Sequence, residues 1–318
     1  MGAGSFDARE WDNFSQSISS LSIQQTFSSS AVAEFDPTQF KLRESCESAE
    51  KPRVTPIIIA LDVTGSMGKI PAALVRGGLG DLMAKLLANN GIPNPHVMFM
   101  AVGDVNYDRA PIQATQFEAD MRMADQLRKL YLEGGGGGND SESYPLAWYF
   151  AATRTKLDSL INRQEKGFIF TIGDEYAPEK ISGAHIQRFL GEQNARDITT
   201  QEILTLAKKS YEVFHFGVKQ SSTYTSRVQA SWKELLGQNL IDVDDYNKIA
   251  DDIVSTIETV LEQRNRQSAS IANSLASRVA VLSGARRISP VPVQMDVAED
   301  DLSPPPYSPN PAYRMGRL

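Results

Sequence analysis

Short aliphatic runs recur along the chain, each flanked by turn residues and followed by a stretch of helical period. The first, "TPIIIALD" (55–62), shows no alternation of polar and apolar positions, which is the pattern of a strand covered on both faces. "HVMFMAVGD" (96–104), "GFIFTIGDE" (167–175) and "YEVFHFGV" (211–218) repeat it, while "APIQATQF" (110–117) reads as a short edge strand and "NLIDV" (239–243) as another short strand. Helices are predicted between them. "IPAALVRGGLGDLMAKLLANNG" (70–91) has Pro71 near its first turn and Gly91 past its end, with Gly77, Gly78 and Gly80 weakening its middle. The others are "DMRMADQLRKLYLEG" (120–134), "YPLAWYFAATRTKL" (144–157), "ITTQEILTLAKKS" (198–210), "TSRVQASWKELLG" (225–237) and "DYNKIADDIVSTIETVLEQRN" (245–265). Strands alternating with helices of this length predict an α/β fold, a doubly wound and mostly parallel sheet with helices on both faces and right-handed crossovers.

The ends read differently. Residues 1–49 form a Ser-rich N-terminal arm, in which "SQSISSLSIQQTFSSSAV" (15–32) has scattered apolar residues and no firm period. The arm is expected to lead into the domain without belonging to it. The α/β domain is placed at 50–264, a helical extension at 265–288, and a flexible tail at 289–318, proline-rich and acidic, too poor in apolar residues to offset the entropy of ordering. Within that tail, Pro304, Pro305, Pro306 and Tyr307 match the PPxY ligand read by WW domains. The acidic "DVAEDD" before it is expected to keep the tail extended.

Composition narrows the setting. A chain of 318 residues, 41% hydrophobic, can bury one large core. A formal charge of −7 and a pI near 5.2 leave no basic excess to release counterions from a nucleic acid, so none is expected as partner. The single cysteine, Cys46, excludes an internal disulfide framework and fits a reducing compartment. The first residues, "MGAGSFDAREWDNF", hold acids and no apolar run of signal-peptide length, and Phe6 stands where a myristoylation motif wants Ser or Thr. No run of about 18 apolar residues exists to span a membrane. A cytoplasmic protein is the expectation.

Three strand ends carry acids: Asp62, Asp104 and the pair Asp174 and Glu175. Ligands of open α/β sheets collect at the carboxyl ends of strands. In "DVTGSMG", Asp62 is followed by hydroxyls at Thr64 and Ser66, three hard oxygen donors that a tight turn through Gly65 and Gly68 can aim at one point. Such donors suit Mg²⁺ or Mn²⁺ with retained waters, and not Zn²⁺, because the three histidines lie in no metal-ligand spacing. A bare strand-to-helix turn, with Thr64 or Ser66 capping, explains the stretch taken alone. Asp174 at a matching strand end favours the metal. Asp104 and Asp108 either rim this site or form an Asx turn.

"DVTGSMG" resembles the D-x-S-x-S element of the von Willebrand factor type A domain, whose metal-ion-dependent adhesion site sits at the carboxyl edge of a doubly wound sheet. Asp62, Thr64 and Ser66 match it, with Thr64 keeping the hydroxyl. Asp174 in "FIFTIGDE" resembles the family's later acid, with Gly173 where Thr often stands. The family's threonine, after a Gly-Gly pair at a helix start, corresponds to a position in "GGGGGNDSESYPLAWYFAA". Matching Ala147 and Ala151 puts Glu142 there; alternatively Ser141 or Ser143 takes the role and Glu142 points outward. The longer stretches 41–71, 101–120 and 132–152 also resemble intracellular von Willebrand A proteins of bacteria and phages. The resemblance implies a binding module, not an enzyme, whose metal engages an acidic side chain of a partner protein, with self-assembly left open.

The competing reading is a phosphatase. A strand ending D-x-D-x-T with a later acid is the pattern of haloacid-dehalogenase-like enzymes, but Thr64 stands at the general-acid position, which forfeits about 10²–10⁴ in rate. The run "GGGGGND" lacks the Lys and Ser or Thr that a P-loop needs, and reads as a loop before the helix. The cluster Trp148, Tyr149 and Phe150 reads as core.

Overall fold

The computed structural model describes residues 8–18, 20–67, 70–73, 78–88, 91–134 and 138–284. Six strands form the main sheet: β1 (Thr55–Asp62), β2 (Pro95–Val102), β3 (Ile112–Ala114), β4 (Gly167–Gly173), β5 (Tyr211–Val218) and β6 (Leu240–Val243). Their order is β6-β5-β4-β1-β2-β3, all neighbours parallel except the antiparallel edge pair β2 and β3. This is the doubly wound α/β sheet that the alternation of runs predicts. From β1 the chain steps outward to β2 and β3, then returns to β4 on the other side of β1. The crevice between the carboxyl ends of β1 and β4 is therefore the topological switch point, where such sheets bind ligands.

Strand β1 is aliphatic throughout because both its faces are covered. Ile57, Ile59 and Leu61 join one core with Val97, Phe99, Phe168 and Phe170. Ile58 and Ala60 join the other with Met98, Met100 and Ile169. On the first face pack helices α1 (Ala8–Ile18), α2 (Leu79–Ala88) and α3 (Arg122–Arg128), through residues such as Leu82, Leu86 and Leu127. On the second pack α4 (Tyr144–Arg154), α5 (Gly183–Leu190), α6 (Thr200–Ala207) and α7 (Ser226–Leu236), through Trp148, Ile186, Leu204 and Trp232. A last helix, α8 (Ile249–Gly284), adds Ile249, Ile253 and Ile257 to the first core. The chain divides into two compact units, Met1–Arg266 and Gln267–Leu318. Of the second, the described residues 267–284 are helical, and Pro304–Tyr307 with the rest of the expected tail lies outside the described residues.

Several expectations need correction. The N-terminal arm is not a loosely ordered lead-in: Trp11, Ile18, Phe27 and Phe35 are buried in the first core, and Arg43–Ser45 pairs in parallel with Thr155–Leu157. Its apolar residues are few but large, so they fill a groove despite the serine between them. That pairing also ends α4 at Arg154, short of the predicted Leu157. Of the helix predicted over 70–91, Ile70–Ala73 and α2 are helical, and 74–77, 89 and 90 lie outside the described residues. The one predicted over 120–134 stops at Arg128 because the chain turns there to bridge Tyr131 to Ser28. Helix α5, started by Ser182 accepting a hydrogen bond from the His185 amide, lies in a stretch with no predicted element.

Candidate functional site at the sheet switch point

Asp62 is the last residue of β1 and fully buried. Its Oδ1 accepts from the Thr64 amide (2.9 Å) and the Thr64 hydroxyl (2.5 Å), which folds the chain back into the short 3₁₀ turn Gly65–Met67. Ser66, exposed at the tip of that turn, donates through Oγ to Asp174 Oδ1 at 3.1 Å. Asp174 follows β4 and is also fully buried. Its Oδ2 accepts from the hydroxyls of Ser221 and Thr223, in the loop after β5. The structure thus brings Asp62, Thr64, Ser66 and Asp174 together across the switch point.

The start of α4 supplies two further groups. Tyr144, fully buried, donates its phenolic hydrogen to Asp62 Oδ2 at 2.6 Å. Its ring packs edge-on against His215 and Trp232, which stack with centroids 3.5 Å apart. Glu142, two residues earlier, is 2% exposed and its Oε2 has no hydrogen-bond partner. Of the alternatives left open by the sequence, outward-pointing Glu142 is excluded by this burial. Ser143 Oγ is engaged elsewhere, accepting from the Val105 amide at 3.0 Å. Ser141 lies in a bridge to Tyr176. Asp104 forms the Asx turn, accepting from the Asn106 amide at 2.8 Å, and its other oxygen accepts from Asn139.

The electrostatics follow from crowding acids where water is excluded. Burial, then the neighbouring Asp174, pushes the Asp62 carboxyl up to about 7. Burial, then Asp62, Glu175, Asp104 and Asp108, pushes Glu142 up to about 10. Glu175, half-buried with an unpartnered Oε2, rises to about 7 through burial and then Asp62 and Asp174. Among the described residues, no lysine or arginine pairs with Asp62, Glu142, Asp174 or Glu175. Buried carboxylates ordinarily have a cation or several amide donors. An unpartnered carboxylate oxygen beside two other buried acids is the donor set that a hard divalent cation completes. No three of His, Cys, Asp and Glu form a metal-holding group by themselves among the described residues. An ion here would therefore need the Thr64 and Ser66 hydroxyls and water as well as carboxylate oxygens.

Tyr144, Ser221 and Thr223 were not singled out from the sequence. The hydroxyl run "SSTYTS" (221–226) directly after a strand end is the signal that marks the second pair. Tyr144 carries none, being one apolar residue among many in "YPLAWYF". In fold, the chain resembles a von Willebrand A domain. No protein-family model matches the chain, and no curated protein matches it. Among solved structures, the pilus adhesin SpaC from Lactobacillus rhamnosus GG aligns over 66% of this chain at 10% identity and a TM-score of 0.42; the chain spans 30% of that protein's length. The vWF domain of the type V pili tip protein Mfa5 from Porphyromonas gingivalis aligns over 65% of this chain and 96% of its own, at 12% identity and a TM-score of 0.40. BatB from Bacteroides thetaiotaomicron aligns over 66% and 99%, at 15% identity and a TM-score of 0.36.

Proposed function

We propose that this chain is a protein-binding module whose switch-point site takes Mg²⁺ or Mn²⁺ and uses it to engage an acidic group of a partner protein. The observation that carries the reading is the crowding of buried Asp62, Glu142 and Asp174 at the switch point, with no lysine or arginine paired to them among the described residues. Asp62, Thr64, Ser66, Asp174 and Glu142 would hold the ion. A bound divalent ion supplies a positive centre for a carboxylate that this acidic crevice would otherwise repel. Ser66 is the one of these five at the surface, so it marks where a partner would approach. Ser221 and Thr223 hold the Asp174 carboxylate between two hydroxyl donors and so fix its orientation.

A phosphatase reading is disfavoured by the same geometry. Thr64, at the general-acid position, donates its hydroxyl to Asp62 Oδ1 and has no carboxyl to protonate a leaving group. The test is capture of partners by immobilised protein in Mg²⁺ and in EDTA, for the parent and for Asp62→Ala. Partners held by the parent in Mg²⁺ and released in EDTA and in the variant are expected. Equal retention in every condition contradicts the proposal, and phosphoester turnover abolished by Asp62→Ala would replace it with the enzyme.

A further inference from the structure

A groove of about 920 Å³ opens beside the switch point, and two of the site's own hydroxyl residues, Ser66 and Ser221, line it. Its apolar surface comes from Phe27, Val63, Met67, Leu132 and Tyr246. Among the described residues that line it none is charged, in a chain 22% charged and beside a cluster of acids. The walls come from segments distant in sequence: Ser28 bonds to Leu130 across one side, and Gly134 donates to the Val63 carbonyl at 3.3 Å across the base. Gln24, Phe27, Ser28 and Ser29, which complete it, belong to the N-terminal segment.

Resting on the metal-dependent reading above, we infer that this groove receives a partner segment in which an acidic residue is flanked by large apolar side chains. The carboxylate would reach the ion past Ser66 while the neighbouring side chains fill the groove. Charge complementarity selects this occupant. A ligand at the site must bring negative charge to the ion, yet among the described residues what it places in the groove meets no cation, which favours neutral side chains there. The Gln24 side chain, the Gln220 amide nitrogen and the Ser222 hydroxyl offer hydrogen-bonding groups to a peptide backbone, for which an acyl chain has no use. Burial of apolar side chains would supply affinity that a single exposed carboxylate–metal contact lacks.

The test uses the full chain and three synthetic nonapeptides: a central Asp flanked by leucines, the same with Asn for Asp, and a central Asp flanked by serines. Fluorescence anisotropy in Mg²⁺ should show the first binding at least tenfold more tightly than the other two, and EDTA should remove the difference. Leu132→Ser and Tyr246→Ser, uncharged changes at two partly exposed positions, should weaken the first peptide about tenfold while leaving the metal-dependent rise in Tm unchanged. Equal binding of the serine-flanked Asp peptide overturns the groove inference and leaves the metal reading standing. Leucine-flanked peptides that bind alike with Asp or Asn and in EDTA overturn the link to the ion, and so does binding of none of the three.

Discussion

Tyr144 occupies the space that a side chain at position 173 would need: a Cβ placed on Gly173 would lie 2.0 Å from the phenolic oxygen. The two residues act as a unit, glycine clearing the end of β4 so that the hydroxyl can reach Asp62. A hydrogen bond to a buried carboxylate contributes roughly 1.5–3 kcal/mol. Tyr144→Phe should therefore weaken Mn²⁺ binding severalfold by leaving Asp62 poorly solvated, measurable by isothermal titration calorimetry, with the ring packing on Trp232 retained. Gly173→Ala should cost more than about 2 kcal/mol in urea unfolding, since the contact involves ring carbons as well as the hydroxyl. The residues of this site were unequally legible in the sequence. Asp62, Thr64 and Ser66 are neighbours along the chain, so their spacing displays their convergence. Tyr144 reaches Asp62 from 82 positions away, and Ser221 and Thr223 reach Asp174 from 47 and 49, through the crossing of strands, and no local pattern encodes that.

Among elements, the strands were the most readable because burial on both faces leaves an unbroken apolar run, as in Ile57–Leu61. The N-terminal segment was the least, because its contribution rests on single large residues spaced by serine. Trp11 is 3% exposed and meets Phe14 edge-on at 6.2 Å, and Gly80 of α2 lies close against its ring. Arg43 holds the segment to the edge strand, donating to the Ala114 carbonyl at 2.9 Å. Trp11→Ala should lower unfolding free energy by about 3–5 kcal/mol, the usual cost of emptying a buried tryptophan site. A change within about 0.5 kcal/mol would mean that α1 is peripheral to the fold. Gly80 lies inside α2, where it costs the helix about 1 kcal/mol relative to alanine.

At the scale of the molecule, acids gathered at one edge make metal-free stability depend on pH. A carboxyl whose pKa rises on folding keeps its proton in the native state over a range where the unfolded chain has lost it, so stability falls as pH rises through that range. The range runs from 3.8 to about 7 for Asp62 and from 4.5 to about 10 for Glu142. Buried His96, held down to about 4 from 6.5 chiefly by burial, works in the opposite direction and only below pH 6.5. Between pH 7 and 9 the slope in EDTA should therefore be negative, approaching about 1.4 kcal/mol per pH unit for one retained proton. Glu142→Gln should flatten it and stabilise the metal-free protein at pH 8.5 by on the order of 1–3 kcal/mol, measured by urea unfolding. A slope unchanged by that substitution would place the proton elsewhere.

An ion that binds the native state alone raises stability by RT ln(1 + [L]/Kd), so Tm followed against Mn²⁺ concentration reads the site directly. The parent should show a saturating rise, Asp62→Ala none, and Glu142→Gln a much smaller one from a higher metal-free starting point. Parent and Asp62→Ala rising alike, or neither rising at millimolar Mn²⁺, would contradict a metal site at the switch point.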